Sequence, residues 1–356
     1  MKDPRIAKLA DILVNYSTKI KKGEVVEIFA NPEAKPLFLE VYKLVVKKQP
    51  KEILVDIKFP ETAEIFYKNA TDEQLKQFPD LAMHLAKNTN VAIQIGAPTN
   101  TKALSGINPK LQAIRAKTTR PLSDYIVKNV RWVLTEYPTE ALAQEAEMSL
   151  EEFEDFVYSA TNVDWQEMSK NQDRIKKVFD NAKEVRIVGA GTDLKLSLAG
   201  RSAVKGDGSH NMPDGEIFFA PVENSANGKI TYTYPAIYGS RQVDGIVLEF
   251  KNGKVVRATA EKNNHFLQQM LNMDKGAKWL GEFGIGTNEG IKKYIKNILF
   301  DEKIAGTIHL ALGMAYEECG GKNKSGLHLD MIKELRDGGK IFVNGKVVQK
   351  DGKWMF

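Results

Sequence analysis

Residues 24–59 read EVVEIFANPEAKPLFLEVYKLVVKKQPKEILVDIKF, and this stretch decides the fold of the first half of the chain. Glu24 to Ala30 and Glu52 to Phe59 are rich in Val, Ile and Phe, which are typical strand residues. Between them, Lys35 to Lys48 repeats apolar residues at helical spacing. A strand, a helix and a second strand in this order predict a crossover connection between parallel strands.

The same alternation continues along the chain. Glu61 to Asn69 and Asp72 to Gln77 are predicted to be helical, whereas Val91 to Gly96 and Arg131 to Glu136 are short apolar segments typical of strands. Strands separated by helices imply a mostly parallel sheet covered on both faces. We therefore predict an α/β N-terminal domain with a mostly parallel sheet.

The second half of the chain has a different composition. From Pro138 to about Asn181 the pattern is helical and acidic, and beyond it short β-rich segments are separated by glycines. These segments are Val185–Val188, Leu194–Leu198, Ile230–Tyr234, Ile246–Phe250 and Val255–Thr259. Asn252-Gly253 joins the last two and is a strong hairpin signal. We predict an α+β C-terminal domain with an antiparallel sheet, with domains of residues 1–180 and 181–356.

Composition and charge exclude several classes of protein. The chain has 356 residues, 42% of them hydrophobic and 27% charged, with a net charge of +5. Its lysines are interleaved with glutamates instead of forming a basic block, which argues against a nucleic-acid partner. It has no run of about 18 apolar residues and no secretory signal pattern, so we expect a cytoplasmic protein without a membrane partner.

Two local features resemble functional motifs but are better explained as structural. Cys319 is the only cysteine, which excludes an intrachain disulfide and a multi-cysteine metal site, and we expect it to be a small semi-buried residue. Val188-Gly189-Ala190-Gly191 suggests a dinucleotide-binding loop, but the next segment alternates like a strand and does not open a helix. A turn between two strands is the better interpretation.

Two histidines close together in the sequence are candidate metal ligands. His328 and Asp330 are two residues apart, a spacing that points both side chains to one face of a strand. His309 lies in a segment where polar and apolar residues alternate. A lone histidine there is more often a core residue with one satisfied nitrogen than a ligand, so the histidines alone leave both interpretations open.

Two glutamates lie in apolar or glycine-rich surroundings. Glu216 precedes the apolar run of residues 217–220, and Glu282 lies between a glycine and a phenylalanine. A carboxylate in such surroundings is costly to bury unless a positive charge neutralises it. The alternatives are a strand-edge charge for Glu216 and a helix-end or turn residue on the surface for Glu282. With the histidines and the aspartate, they would supply oxygen and nitrogen donors for a divalent cation without a thiolate.

Four motifs in the chain resemble those of the thermophilic aminopeptidase family, the two-metal metallopeptidases of the aminopeptidase T and S type. They are DGSHNMPDGE at 207–216, EFGIGTN at 282–288, GTIHLALG at 306–313 followed by Tyr316, and GGKNKSGLHLD at 320–330. Their order and spacing agree with the family pattern. The resemblance is strongest from about residue 130 onward.

The resemblance implies a complete site. The metal ligands that it implies are Glu216, Glu282, His309, His328 and Asp330. Glu282 would bridge two divalent cations, with zinc or cobalt first and magnesium or manganese as alternatives. Tyr316 would donate a hydrogen bond to the substrate oxyanion. The family pattern also implies a homodimer whose sites open into an enclosed cavity, which favours short peptide substrates.

The function that the resemblance implies is that of a metalloaminopeptidase, with Tyr316 and Glu282 as catalytic residues. A metal-activated water would attack the first peptide bond, and either Glu318 or the activated water itself could serve as the base. Two other functions remain open from the sequence. One is a two-metal hydrolase of another amide or ester, and the other is a non-catalytic metal-binding scaffold.

Overall fold

The computed structural model describes residues 3–239 and 241–356. This part of the chain forms two compact units. The first unit runs to Val163 and also contains Gly208–Pro213, and the second comprises Asp164–Asp207 and, from Asp214 onward, the rest of the described chain.

The helices lie mainly in the first unit. In chain order the α-helices are α1 (Pro4–Asp11), α2 (Lys35–Lys47), α3 (Glu61–Asn69), α4 (Asp72–Lys76), α5 (Asp80–Asn88), α6 (Pro109–Asn129), α7 (Glu140–Glu145), α8 (Leu150–Thr161), α9 (Trp165–Phe179), α10 (Asn264–Leu271) and α11 (Ile298–Asp301). A π-helical turn (Ile12–Ser17) follows α1, and short 3-10 turns cover Pro32–Ala34 and Glu317–Cys319. None of the helices in the described part of the chain combines the length and apolar character that a membrane crossing requires.

The strands lie mainly in the second unit. In chain order they are β1 (Val25–Ala30), β2 (Glu52–Ile57), β3 (Val91–Gly96), β4 (Arg131–Glu136), β5 (Val185–Gly189), β6 (Thr192–Leu196), β7 (Val204–Gly206), β8 (Asn211–Met212), β9 (Glu216–Phe219), β10 (Asn227–Thr231), β11 (Ala236–Tyr238), β12 (Arg241–Val243), β13 (Val247–Lys251), β14 (Lys254–Thr259), β15 (Leu280–Gly286), β16 (Thr307–Gly313), β17 (His328–Glu334), β18 (Lys340–Val343), β19 (Lys346–Lys350) and β20 (Lys353–Trp354).

The first unit is built on a parallel sheet with the order β2-β1-β3-β4-β8. Each of its four strand pairs is parallel. The helix α2, which connects β1 to β2, buries Leu37, Val41 and Val45. These residues are four apart and form one helical stripe. The predicted α/β region with a mostly parallel sheet is confirmed.

The second unit contains two larger antiparallel sheets. One has eight strands in the order β14-β13-β10-β6-β5-β18-β19-β20, and the other has five in the order β17-β16-β15-β9-β7. Apolar side chains from both sheets belong to one continuous core, in which the rings of Phe179, Phe219 and Phe283 are neighbours. The predicted α+β region with an antiparallel sheet is therefore confirmed as well.

The predicted turns are present where the sequence placed them. Asn252 and Gly253 connect β13 to β14 with φ angles of 51° and 80°. Both residues need a positive φ in the tight turn that matches the twist of a hairpin, and Asn-Gly tolerates it best. Val188 and Gly189 end β5, and Ala190 and Gly191 form the turn into the antiparallel strand β6, so this segment is a turn between two strands as predicted. Two strands begin earlier than predicted: β6 at Thr192 and β10 at Asn227.

The two compact units meet in sequence at Val163 and Asp164, whereas we predicted a domain boundary near residue 180. The helix α9 belongs to the second unit because the side chain of Gln172 donates hydrogen bonds to the carbonyls of Gly206 and Glu216, at 2.8 Å and 3.1 Å. Compactness alone does not test independent folding. The division into domains of residues 1–180 and 181–356 therefore stays a prediction.

Candidate metal centre

Four neighbouring strands of the five-stranded sheet carry the five predicted ligands. Glu216 begins β9, Glu282 lies in β15, His309 in β16, and His328 and Asp330 in β17. Successive residues of a strand point to opposite faces of a sheet, so the apolar residues between these ligands pack into the core of the second unit. The ligands themselves share the other face, where the structure brings all five together.

Small residues on this face leave room for the large polar ones. In the strand register Ala311 lies between Glu282 and Asp330, and Gly284 lies opposite His309. A Cβ atom on Gly284 would come within 1.9 Å of the Nε2 atom of His309. The imidazole can therefore occupy its position only because residue 284 has no side chain.

The possible ligand atoms form two groups. The first cluster is Glu216, Glu302 and His309, and the second cluster is Glu282, His328 and Asp330. Within each cluster one donor atom from every residue lies within 4.8 Å of the others. Three protein donors per cation, with further positions left for water, are typical of catalytic metal sites.

Glu282 connects the two clusters. Its Oε1 atom lies 3.3 Å from Nε2 of His309, and its Oε2 atom lies 3.2 Å from Nε2 of His328. Glu216 Oε2 is 3.2 Å from the same nitrogen of His309, and Asp330 Oδ2 is 3.5 Å from that of His328. A carboxylate with one oxygen directed to each cluster has the geometry of a bridge.

Backbone carbonyls fix the orientation of both imidazoles. Nδ1 of His309 lies 3.1 Å from the carbonyl oxygen of Glu302, and Nδ1 of His328 lies 3.2 Å from that of Met314. Since a carbonyl oxygen only accepts, Nδ1 carries the proton in each ring. In the neutral ring the lone pair is then on Nε2, which points into the cluster as a ligand nitrogen should.

Residues of the second motif hold the first motif in place. The backbone N–H of Thr287 donates to the carbonyl of Gly215 at 2.7 Å, and the side-chain amide of Asn288 donates to the carbonyl of Asp214 at 2.7 Å. These bonds attach the end of β15 to the residues just before Glu216. The carboxylate of Glu216 is thereby fixed relative to the neighbouring strand.

The site carries an excess of negative charge. Four carboxylates contribute to the two clusters, and one lysine, Lys303, forms ion pairs there, with Glu302 and with Glu216 at 3.5 Å. Four negative charges and one positive charge leave an excess of three when both imidazoles are neutral. Because isolated charges are costly to bury, such an excess calls for cations or protons.

The pKa values of the groups reflect this excess. Burial, followed by the charge of Glu216, raises the pKa of Glu302 to about 8. Burial also acts to raise the pKa of Glu282, but hydrogen bonds from His309 and His328 outweigh it and lower that pKa to about 2. Burial acts to lower the pKa of His328, yet the charges of Asp330 and Glu282 raise it to about 10. The site therefore attracts positive charge.

Two buried oxygens indicate that the residues fit a metal. Among the described residues, Oδ1 of Asp330 is buried without a hydrogen-bond partner, and Oε2 of Glu216 is buried 3.2 Å from Nε2 of His309, a nitrogen that would itself ligate a cation. Buried acceptors are almost always satisfied, and an ion is one of the few explanations for an exception. Oxygen and imidazole donors without a thiolate suit zinc, cobalt or manganese.

Glu302 is the ligand candidate that sequence reasoning missed. It follows α11 in the run Asp301-Glu302-Lys303, which has the composition of an exposed charged turn. In the structure Asp301 and Lys303 are both buried. The unusual feature that could have indicated this is the position of the charged run, shortly before the apolar strand β16.

Tyr316 lies beside the second cluster. Its ring packs edge to face against His328, with centroids 5.4 Å apart, and tilted against Phe218 at 5.2 Å. Burial, and then the charge of Glu282, raises the pKa of Tyr316 well above its usual value. The hydroxyl therefore keeps its proton and can act as a donor.

Glu318 and Cys319 do not have the surroundings of catalytic groups. Glu318 is exposed on the short 3-10 turn after Tyr316. Cys319 is more deeply buried than we expected, and burial raises the pKa of its thiol to about 12, so it remains an inert thiol.

The loop between β16 and β17 is closed at its base. The backbone N–H of Met314 donates to the carbonyl of Leu327 at 2.8 Å. The side-chain amide of Asn323 also donates to the carbonyls of Gly276 and Gly313, at 2.9 Å and 2.6 Å. These bonds fix the start of β17 and thus the position of His328.

The chain is similar to known proteins along most of its length. A family model described as thermophilic metalloprotease (M29) matches residues 2–354. Aminopeptidase 2 of Geobacillus stearothermophilus is 27% identical to this chain, over 99% of this chain and 95% of its own length. Aminopeptidase T of Thermus thermophilus is 27% identical, over 88% and 85%. The solved structure of wild-type AmpT from Thermus thermophilus has a TM-score of 0.86 at 22% identity, covers 99% of both chains and has the same fold.

The substitution Gly284→Ala tests whether the room left by Gly284 is essential. The new methyl group would displace the His309 ring, so we expect cation affinity to fall by about tenfold to a hundredfold without loss of the fold. Isothermal titration of the chelated protein with Co²⁺ and far-ultraviolet circular dichroism measure both quantities. Gly189→Ala is the control, because a Cβ there meets its nearest neighbour at an ordinary 3.6 Å. Unchanged Co²⁺ affinity in Gly284→Ala would contradict the interpretation.

Proposed function

The chain belongs to the thermophilic metalloprotease (M29) family, and from this premise we propose that it is a metalloaminopeptidase, a hydrolase that releases N-terminal amino acids from peptides. The names of the relatives support cleavage from the N-terminus, since the proteins that are similar to this chain over most of their length are aminopeptidases. The single observation that carries the proposal is the pair of ligand clusters joined by Glu282.

The cofactor in this proposal is a pair of divalent cations, with zinc or cobalt as the first choice. Glu216, Glu302 and His309 would hold one cation, His328 and Asp330 the other, and Glu282 would bridge them. Two divalent cations bring four positive charges to a site with an excess of three negative ones. When bound, such a pair polarises the scissile carbonyl and lowers the pKa of a bound water to about 7.

The residues around the clusters would orient the histidine ligands and stabilise the oxyanion. The carbonyls of Glu302 and Met314 keep the two imidazoles in the tautomer that presents Nε2 to the site. Tyr316 would donate its proton in a hydrogen bond to the oxygen of the tetrahedral intermediate, where negative charge develops. Glu318 is exposed on its turn and would not serve as the base, so the proton that the attacking water loses would pass to the leaving amine nitrogen.

The proposal extends to substrates, assembly and location. We propose that the substrates are short peptides, that two copies form a homodimer enclosing the sites, and that the protein is cytoplasmic. The resemblance to the aminopeptidase family supports the first two points. A free, inert thiol at Cys319 is compatible with a reducing compartment.

Directional and metal-dependent cleavage is the direct test of the function. We expect the chelated protein to be folded and inactive, and Zn²⁺ or Co²⁺ to restore the release of N-terminal residues from an unblocked tripeptide. The N-acetylated tripeptide should not be cleaved, because it lacks the charged α-amine that an aminopeptidase recognises. Chromatography of the products measures both. Internal cuts in a long denatured protein, or full activity without detectable metal, would argue against the function.

Two substitutions separate a ligand from an oxyanion donor. Glu282→Gln should abolish activity and weaken metal binding, because a neutral amide cannot neutralise and bridge two cations. Tyr316→Phe should keep its metal content and lower kcat by about two to three orders of magnitude, with little change in KM. Tyr234→Phe is the matched control, since it removes a hydroxyl that donates to Glu334 at 2.9 Å and accepts from Arg336 at 3.5 Å, and it should leave kcat unchanged. An unchanged kcat in Tyr316→Phe would assign Tyr316 a packing role.

The assembly is tested separately from the chemistry. Light scattering on the purified protein should report twice the chain mass of 39.8 kDa. A protein that is monomeric at the concentrations at which it cleaves peptides would refute the dimer while leaving the aminopeptidase function in place.

A further inference from the structure

Lys303 is a buried cation that no step of the proposed reaction uses. Its side chain is 0% exposed. Its Nζ atom contacts Oε1 of Glu302 and lies 3.5 Å from Oε1 of Glu216. Both carboxylates belong to the first cluster, so a permanent positive charge is placed beside one cation position.

Backbone hydrogen bonds on both sides of the peptide unit fix the position of Lys303. Its N–H donates to the carbonyl of Phe300 at 3.0 Å, and its own carbonyl accepts from the N–H of Asn288 at 3.0 Å. A Cβ on Gly286 would lie 2.9 Å from the carbonyl carbon of Lys303, so this segment packs directly against the end of β15. Because the side chain is also fully buried, the ammonium group has little freedom to leave the cluster.

The second cluster has no equivalent cation. Its two carboxylates, from Glu282 and Asp330, have ion pairs with histidines, and no lysine or arginine forms one with them among the described residues. The first cluster therefore has two carboxylates and one fixed positive charge. The second has two carboxylates and no fixed positive charge.

We infer that Lys303 makes the two cation positions unequal, so that the position at Glu216, Glu302 and His309 holds its cation weakly and exchanges it, whereas the position at Glu282, His328 and Asp330 binds first and tightly. The inference rests on the proposed two-cation site. It assigns Lys303 the role of a positioning residue that also repels an incoming cation.

The size of the effect follows from electrostatics. A like charge a few ångströms away, in surroundings with an effective dielectric constant of about 20, changes a binding constant by about tenfold or more. Before the weak position fills, Lys303 supplies the counter-charge that lets Glu216 and Glu302 remain buried. An empty first position therefore keeps a fixed positive charge beside its two carboxylates.

Titration with a single cation tests this inequality. The chelated full-length protein is titrated calorimetrically with Co²⁺ alone, and two binding steps that differ by about tenfold or more are expected. Lys303→Met removes the charge and keeps most of the volume, so the weak step should tighten by about tenfold and the two steps should approach each other. Lys333→Met is the matched control, because Lys333 is also buried, lies in β17 and donates to the carbonyl of Ala190, away from the carboxylates of the clusters.

Two further variants identify the steps even if Lys303→Met fails to fold. Glu302→Gln should remove the weak step and keep the tight one, and Asp330→Asn should remove the tight step. Equal steps in the unchanged protein, a tight step lost in Glu302→Gln, or a weak step lost in Lys303→Met would each overturn the inference and leave the aminopeptidase proposal standing. A protein that binds no Co²⁺ but cleaves peptides normally would instead refute the two-cation site itself.

Discussion

The contact of one carboxylate with two histidines organises this site. One carboxylate oxygen of Glu282 lies 3.3 Å from Nε2 of His309, and the other lies 3.2 Å from Nε2 of His328. No other carboxylate of the site contacts both imidazoles. Burial of Glu282 is tolerable only with positive charge on both sides. The sheet must therefore bring the two histidines, from β16 and β17, to the face of the sheet that carries Glu282 of β15, each within contact distance of its carboxylate.

An antiparallel sheet meets this requirement because its register is rigid. Side chains on one face of adjacent strands lie about 5 Å apart, which is close to the spacing that two bridged cations need. The cost is space, since a β-sheet face crowded with imidazoles and carboxylates has no room for ordinary side chains. Gly284 and Ala311 provide that space, and the glycine-rich texture of β15 is thus part of the site.

Much of this arrangement could be predicted from the sequence, and the remainder has a physical explanation. Asn252-Gly253 indicated its hairpin because the φ angles of the turn are local properties. Five ligand candidates followed from motif resemblance and strand alternation. Glu302 escaped because it is ion-paired with its sequence neighbour Lys303, and such pairing looks the same in an exposed turn as in a core. The strand shifts at β6 and β10 escaped because pairing partners far apart in sequence set strand ends.

The closed base of the loop between β16 and β17 has an evolutionary consequence. Met314 and Leu327 are hydrogen-bonded to each other, and Met314 also supplies the carbonyl that orients His328. As long as Tyr316 and Asn323 keep their positions, residues between them can be added or deleted without moving either end of the loop. Related enzymes can therefore diverge in the length and chemistry of this loop, and so in what surrounds the substrate, while the inherited metal chemistry stays constant. The segment from Glu302 to His309 allows no such variation. One insertion there would separate the His309 ring from the backbone carbonyl of Glu302 that orients it.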